Sequence, residues 1–146
     1  MSEIPLISIV DDDTAVRDSM QRLVSSGGFR AAVFASAEDF LHADQLRDTA
    51  CLIVDVRMPR ISGLELQQLL TRANCLIPLI FITAHGDDET RLQALRAGAV
   101  DFLDKPFSDE VLLGAVQVAL QSSREGASEF RSCDRWSRCE PRHDVS

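Results

Sequence analysis

Long apolar runs are absent from this sequence of 146 residues. No stretch approaches the roughly 20 consecutive apolar residues that a membrane-spanning helix needs. The start of the chain, Met1-Ser2-Glu3, also lacks the basic region and the apolar stretch of a secretory signal. We therefore expect a cytoplasmic protein without a membrane partner. Its four cysteines are then reduced thiols rather than a disulfide framework.

Positive charge is scarce as well. The sequence has 15 basic and 23 acidic side chains and a net charge of -8. The excess lies in residues 1–123, which carry 10 basic and 18 acidic side chains. Such a surface repels nucleic acids and anionic membranes, so we expect no direct nucleic-acid binding by this chain. Lys105 is the only lysine among the 15 basic residues, and the others are arginines. A general preference for arginine over lysine does not explain why a lysine stands at this position.

Short apolar runs alternate with amphipathic stretches through residue 123 and predict five strands and five helices. The predicted strands are residues 4–10, 29–34, 51–54, 79–82 and 100–103. Ser62 and Glu65 form a capping-box pattern that predicts the start of the third helix. Strict alternation of strands and helices is typical of an α/β fold. We therefore predict a doubly wound parallel sheet between two helical layers.

Residues 124–146 differ from the rest of the chain. They carry five arginines and five acids, little apolar content and no clear period. We predict one domain over residues 1–123, followed by a disordered tail that contains no DNA-binding domain. A native tail, a stretch read in another frame and a cloning remnant all fit this composition.

Reactive side chains follow four of the five predicted strands. In open α/β sheets, ligands bind beyond the carboxyl ends of the strands. Clustered carboxylates raise one another's pKa, and a hard cation such as Mg²⁺ relieves their repulsion. A carboxylate beside a lysine and a hydroxyl can accept a phosphoryl group and form an aspartyl phosphate. The side chains at these strand ends are Asp11, Asp12, Asp13, Asp55, Thr83 and Lys105.

Five motifs stand at these strand ends in a fixed order. They are Val-Asp-Asp-Asp at 10–13, Asp-Val-Arg-Met-Pro at 55–59, Ile-Thr-Ala-His-Gly-Asp at 82–87, Gly-Ala-Val-Asp-Phe-Leu at 98–103 and Lys-Pro-Phe at 105–107. Over about residues 4–122 the sequence resembles the receiver domain of bacterial two-component response regulators, most closely the FixJ-type branch. The resemblance implies a flavodoxin-like, three-layer αβα sandwich with strand order 2-1-3-4-5. It also implies a role in transcription regulation, through an output that this chain lacks.

The resemblance also implies which residues bind the metal and the phosphoryl group. Asp55 would be the phosphoacceptor. Asp12 would bind Mg²⁺ with Asp11 beside it, and Mn²⁺ could substitute. Asp55 and the backbone carbonyl of Arg57 would complete the metal ligands, and Lys105 would contact the phosphoryl group.

A conformational switch follows from the same resemblance. Thr83 would move toward the phosphoryl group, and Phe102 would be the aromatic residue coupled to that movement. The switched surface would comprise the fourth helix, the fifth strand and the fifth helix. The implied partners are a sensor histidine kinase and, after phosphorylation, a second copy of the chain. The protein would be a signalling switch rather than an enzyme, although it would assist its own phosphorylation and dephosphorylation.

Other interpretations of the same residues remain open at this stage. Acids at a helix start often only cap the helix, and we place Asp13 outside the site. A Mg²⁺-dependent hydrolase of the haloacid-dehalogenase kind would use Asp11 and Asp13, but Ala15 stands where that motif needs Thr or Val. That family also has a lysine before a late Gly-Asp pair, whereas here Gly-Asp at 86–87 precedes the only lysine. His85 is expected to tune hydrolysis of the phosphate or to be a plain loop residue.

Overall fold

The elements of this protein alternate between strand and helix in a computed structural model that describes residues 4–58, 60–75, 77–84, 87–105 and 107–125. The strands are β1 (Leu6–Val10), β2 (Arg30–Phe34), β3 (Thr49–Asp55), β4 (Leu79–Thr83) and β5 (Asp101–Asp104). The α-helices are α1 (Thr14–Ser26), α2 (Ala37–Leu41), α3 (Gly63–Arg72), α4 (Asp88–Arg96) and α5 (Asp109–Glu125), and a 3₁₀ helix spans Asp44–Asp48. Residues 126–146, which make up most of the tail predicted over residues 124–146, lie outside the described residues, and so does His85.

All five strands pair in parallel in the order β2-β1-β3-β4-β5, which confirms the predicted fold. The chain order reverses at β1, so β1 and β3 are neighbours although β2 lies between them in sequence. In that pair Val10 stands opposite Val54. The residues that follow them, Asp11 and Asp55, therefore emerge side by side at the carboxyl edge of the sheet.

The sheet is buried between two helical layers, because successive side chains of a strand point to opposite faces. In β3, Cys51 and Ile53 pack with α1 and α5, whereas Leu52 and Val54 pack with α2, α3 and α4. All four side chains are fully buried. This explains why the strand is a continuous apolar run rather than an alternating one.

Polar side chains fix where the helices begin. Ser62 and Glu65 form the predicted capping box at α3, with each side chain bonded to the other's backbone N–H. Asp87 caps α4 by accepting a hydrogen bond from the N–H of Thr90. These caps set the start of each helix next to the carboxyl end of the preceding strand, where the predicted site residues lie.

Every predicted strand differs from the observed one by one or two residues at one end or both, and one element was not predicted. The 3₁₀ helix was not predicted, because one turn around a single buried residue, Leu46, carries no period. Strand β3 begins at Thr49, whose hydroxyl bonds the buried hydroxyl of Ser8 at 2.7 Å. Helix α5 continues through Glu125, two residues beyond the predicted end of the domain at residue 123. Among the described residues, no helix combines the length and the apolar character needed to cross a membrane.

Candidate functional site

Three carboxylates meet beyond the carboxyl ends of β1 and β3. Oxygen atoms of Asp11, Asp12 and Asp55 all lie within 4.8 Å of one another. The neighbouring Asp13 points elsewhere, because its side chain caps α1 by accepting hydrogen bonds from the N–H groups of Ala15 and Val16. Capping therefore occupies only one of the four acids, and the other three form a cluster that can hold a cation.

Asp11 is the buried member of this cluster. Its Oδ1 accepts a hydrogen bond from the N–H of Asp13 at 2.9 Å. Its Oδ2 is buried and accepts no hydrogen bond from any described residue. Burial raises the pKa of Asp11 to about 6, and the charges of Asp55 and Asp12 add to this effect, while the Asp13 N–H and Lys105 oppose it. A buried carboxylate oxygen that accepts no hydrogen bond is suited to bind a cation, since the cation would compensate for the lost hydration of that oxygen.

Asp55 ends β3 and is nearly buried, with 13% of its side chain exposed. Its Oδ1 accepts a hydrogen bond from the N–H of Arg57 at 3.0 Å. Burial raises the pKa of Asp55, whereas this N–H and Lys105 lower it. Arg57 itself is exposed at the rim. The hydrogen bond orients the Asp55 carboxylate, so that its other oxygen, Oδ2, faces Lys105.

Gly63 allows α3 to begin in direct contact with the backbone of the site. A Cβ atom at this position would lie 2.5 Å from the carbonyl oxygen of Asp55 and 3.0 Å from the Cα of Val56. The Gly63 N–H also donates a hydrogen bond to the Val56 carbonyl. The first turn of α3 thus packs directly against the backbone of Asp55, and only glycine permits this approach.

Lys105 reaches the carboxylates from the end of β5. Its Nζ lies 3.7 Å from Oδ2 of Asp11 and 3.9 Å from Oδ2 of Asp55. Its backbone N–H donates a hydrogen bond to the carbonyl of Thr83 at 2.8 Å. The only lysine of the chain is therefore fixed by its backbone and places its charge beside both buried carboxylates.

Thr83 and Phe102 lie on the same face of neighbouring strands. Thr83 pairs with Asp104 in the β4–β5 ladder, and Phe81 pairs with Phe102. Because side chains alternate along a strand, Thr83 and Phe102 stand on one side of the sheet, a diagonal step apart. Both are buried, and the Phe102 ring centroid lies 6.2 Å from that of Phe81.

Sequence reasoning missed Arg91 on α4. Its guanidinium donates to the carbonyl of Phe102 at 2.9 Å and to Oδ2 of Asp104 at 2.7 Å. The guanidinium carbon also lies 4.9 Å from the centroid of the Phe102 ring. No sequence motif includes Arg91, and its contacts join a helix to a strand. The one sequence signal for a role of Arg91 is its place on α4, part of the predicted switch surface.

A family model described as the response regulator receiver domain matches residues 7–117. The chain belongs to this family. As a receiver domain of two-component response regulators, it is a member of a family of signalling switches rather than of typical enzymes.

Named relatives support the FixJ-type resemblance of this receiver domain. The response regulator protein TmoT of Ectopseudomonas mendocina is 47% identical over 116 residues, which are 80% of this chain and 53% of TmoT. The transcriptional regulatory protein FixJ of Azorhizobium caulinodans is 40% identical over 130 residues, 88% of this chain and 62% of FixJ. The crystal structure of FixJ-N has a TM-score of 0.74 and 38% identity, and the match covers 83% of this chain and 96% of that one. The receiver domain spans about half the length of several curated relatives that it matches.

Proposed function

We propose that this receiver domain accepts a phosphoryl group on Asp55 from a phosphohistidine of a sensor histidine kinase, or from a small phosphodonor. The observation that carries this proposal is the position of the Asp55 carboxylate. It shares a site with two other carboxylates and lies 3.9 Å from the Lys105 ammonium. An oxygen nucleophile, a cation site and a fixed positive charge are the groups that phosphoryl transfer needs.

The Asp55 carboxylate would act as the nucleophile. One of its oxygens forms a bond to phosphorus, the P–N bond of the phosphohistidine breaks, and the electron pair of that bond stays on the imidazole nitrogen. Lys105 would offset the negative charge on the phosphoryl oxygens. The N–H of Arg57 holds the other Asp55 oxygen in place during the transfer.

The donor set supports Mg²⁺ as the metal, since all its members are oxygens and one of them is a buried Asp11 oxygen without a hydrogen-bond partner among the described residues. When bound, the metal supplies positive charge to the transferring phosphoryl oxygens, and Mn²⁺ could replace it. Four groups would hold it: the carboxylates of Asp11, Asp12 and Asp55, and the backbone carbonyl of Arg57.

The hydrolase alternative receives no support from the site geometry. That mechanism needs a second acid two residues after Asp11, but Asp13 is engaged as the cap of α1. A chromogenic phosphate ester separates the two functions. A hydrolase turns over this ester many times, whereas a receiver domain is expected to turn it over barely at all.

The response would be a changed surface on α4, β5 and α5, with Thr83 and Phe102 as the switch. Apolar side chains on these helices support a partner surface, and it would bind a second phosphorylated copy of the chain. The partly exposed members are Leu92, Leu95, Val111 and Val118. The protein would act in the cytoplasm on transcription, through an output outside these residues, and this chain would not bind DNA itself. A footprint on a promoter by this chain alone would contradict the last point.

Intact-mass measurement with acetyl phosphate and Mg²⁺ tests the proposed acceptor. The wild-type chain is expected to gain one phosphoryl group, and Asp55→Asn is expected to gain none. Asp18→Asn, which removes an exposed acid of α1, serves as the matched control and should behave as wild type. Phosphorylation of Asp55→Asn at the wild-type rate would overturn the assignment.

A further inference from the structure

One guanidinium group joins helix α4 to the last residues of β5. Arg91 donates hydrogen bonds to the backbone of Phe102 and to the carboxylate of Asp104, and it lies over the Phe102 ring. The planar fork of arginine allows these contacts to form together, which a lysine ammonium cannot reproduce. We call these contacts of Arg91 with Phe102 and Asp104 the Arg91 clamp.

The clamp acts on the two ends of one short segment. Phe102 is the buried aromatic residue beside Thr83, and Asp104 directly precedes Lys105. Lys105 in turn bonds the Thr83 carbonyl through its N–H and places Nζ near Asp11 and Asp55. Holding β5 therefore fixes two things at once, the buried position of the Phe102 ring and the approach of Lys105 to the carboxylates.

We propose that Arg91 is a positioning residue for phosphoryl binding, because the clamp stabilises the conformer in which Phe102 is buried and Lys105 reaches Asp55. The inference rests on the function proposed above. A ligand shifts a conformational equilibrium only by its difference in affinity for the two states. A phosphoryl group needs Lys105 at the site, so it binds the clamped conformer more tightly, and loss of the clamp weakens its binding.

The clamp should affect this equilibrium more than it affects global stability. The Arg91 and Asp104 side chains are 36% and 48% exposed, and exposed ion pairs contribute little to the free energy of unfolding. Phe102, by contrast, is buried and contacts Phe81, and this contact does not involve Arg91. A variant without the clamp is thus expected to fold normally and to differ in ligand affinity.

Titration of the full chain with beryllofluoride, a phosphoryl analogue, at saturating Mg²⁺ tests the proposal. Bound fluoride is followed by ¹⁹F NMR, and thermal unfolding is measured on the same samples. Arg91→Ala is expected to weaken beryllofluoride binding by about three- to tenfold, given the modest strength of cation–π and exposed ionic contacts. Its affinity for Mg²⁺ alone should not fall, because Arg91 is not among the clustered acids and a less firmly held Lys105 competes less with the metal for them.

Three further variants separate the contacts of the clamp. Arg91→Lys keeps the charge but loses the fork, so its affinity should fall between those of wild type and Arg91→Ala. Asp104→Asn removes the ion pair and keeps the ring contact, so its loss should also be partial. Arg96→Ala is the matched control, since it removes an exposed arginine of the same helix, and it should bind as wild type.

Each outcome decides a different point. If the wild-type chain binds beryllofluoride and Arg91→Ala binds it equally tightly or more tightly, the proposed role of the clamp is wrong. The proposed function is then unaffected. Failure of the wild-type chain to bind beryllofluoride overturns the proposed function, and the clamp with it. If Arg91→Ala does not fold, Arg91→Lys and Asp104→Asn decide, and wild-type affinity in both overturns the proposal.

Discussion

The ammonium nitrogen of Lys105 lies 3.7 Å from Oδ2 of Asp11, a buried oxygen that accepts no hydrogen bond from the described residues. The fold brings these two residues together at the carboxyl edge of the sheet, although the strands that precede them, β1 and β5, are separated by two other strands. At this distance the lysine offsets the charge of Asp11 without a hydrogen bond. Burial still prevails, since the pKa of Asp11 remains raised to about 6.

Asp11 should therefore make the metal-free protein less stable at neutral pH. Its pKa is about 6 in the folded state against an ordinary value of 3.8, so the folded state binds the proton more tightly than the unfolded state. The free energy of unfolding should fall as the pH rises from about 4 to about 6. Asp11→Asn should remove this loss and stabilise the chain at pH 7 by roughly 2–3 kcal/mol in EDTA, from two pKa units at about 1.4 kcal/mol each.

Urea unfolding at several pH values, with EDTA present, measures this effect. Asp18→Asn is the control, because it removes one acid from the exposed face of α1. Equal stability of Asp11→Asn and wild type at pH 7 would contradict the prediction.

Asp13 should contribute to folding and not to metal binding. Asp13→Ala removes the cap of α1 and is expected to lower the free energy of unfolding by about 1 kcal/mol. Its affinity for Mg²⁺ should stay close to that of wild type, since the backbone N–H that bonds Asp11 is retained. Asp13→Asn keeps a capping side chain and should restore stability. A large loss of Mg²⁺ affinity in Asp13→Asn would place Asp13 among the metal ligands instead.

Two glycine substitutions should have opposite effects on stability. Gly63→Ala places a Cβ 2.5 Å from the Asp55 carbonyl oxygen, so it should cost at least about 2 kcal/mol through displaced backbone. Gly114→Ala lies in α5, where a Cβ meets no atom within 4 Å, and it should gain about 0.5–1 kcal/mol from helix propensity. Urea unfolding of both variants checks the pair, and equal effects would mean that α3 does not pack against Asp55 as described.

Phosphoryl binding should promote dimer formation through α4, β5 and α5. Val118 is 53% exposed on α5, so Val118→Glu should prevent the dimer by placing a charge in its apolar surface. Sedimentation with and without beryllofluoride and Mg²⁺ measures the dimer. Gln68→Glu introduces the same charge on the exposed side of α3 and should leave dimer formation intact. Wild-type chains that stay monomeric at high micromolar concentration in every condition would exclude this interface.

The sequence by itself determined the order and type of the main elements. Buried parallel strands are continuous apolar runs, and helix starts carry local signals such as the capping box of Ser62 and Glu65, so both can be read within a few residues. The order of the motifs also identified the strand ends at which Asp11, Asp55 and Lys105 stand. These features depend on neighbours in sequence, which is why the sequence alone predicts them.

Tertiary structure alone decided how the polar side chains divide their tasks. From the sequence we place Asp13 outside the site, but only the fold shows that its side chain caps α1 while Asp11, two residues earlier, is buried in the acid cluster. The contact of Arg91 with Phe102 joins a helix to a strand and leaves no periodic signal. Such contacts depend on distances between elements, and packing fixes those distances only when the whole sheet has formed.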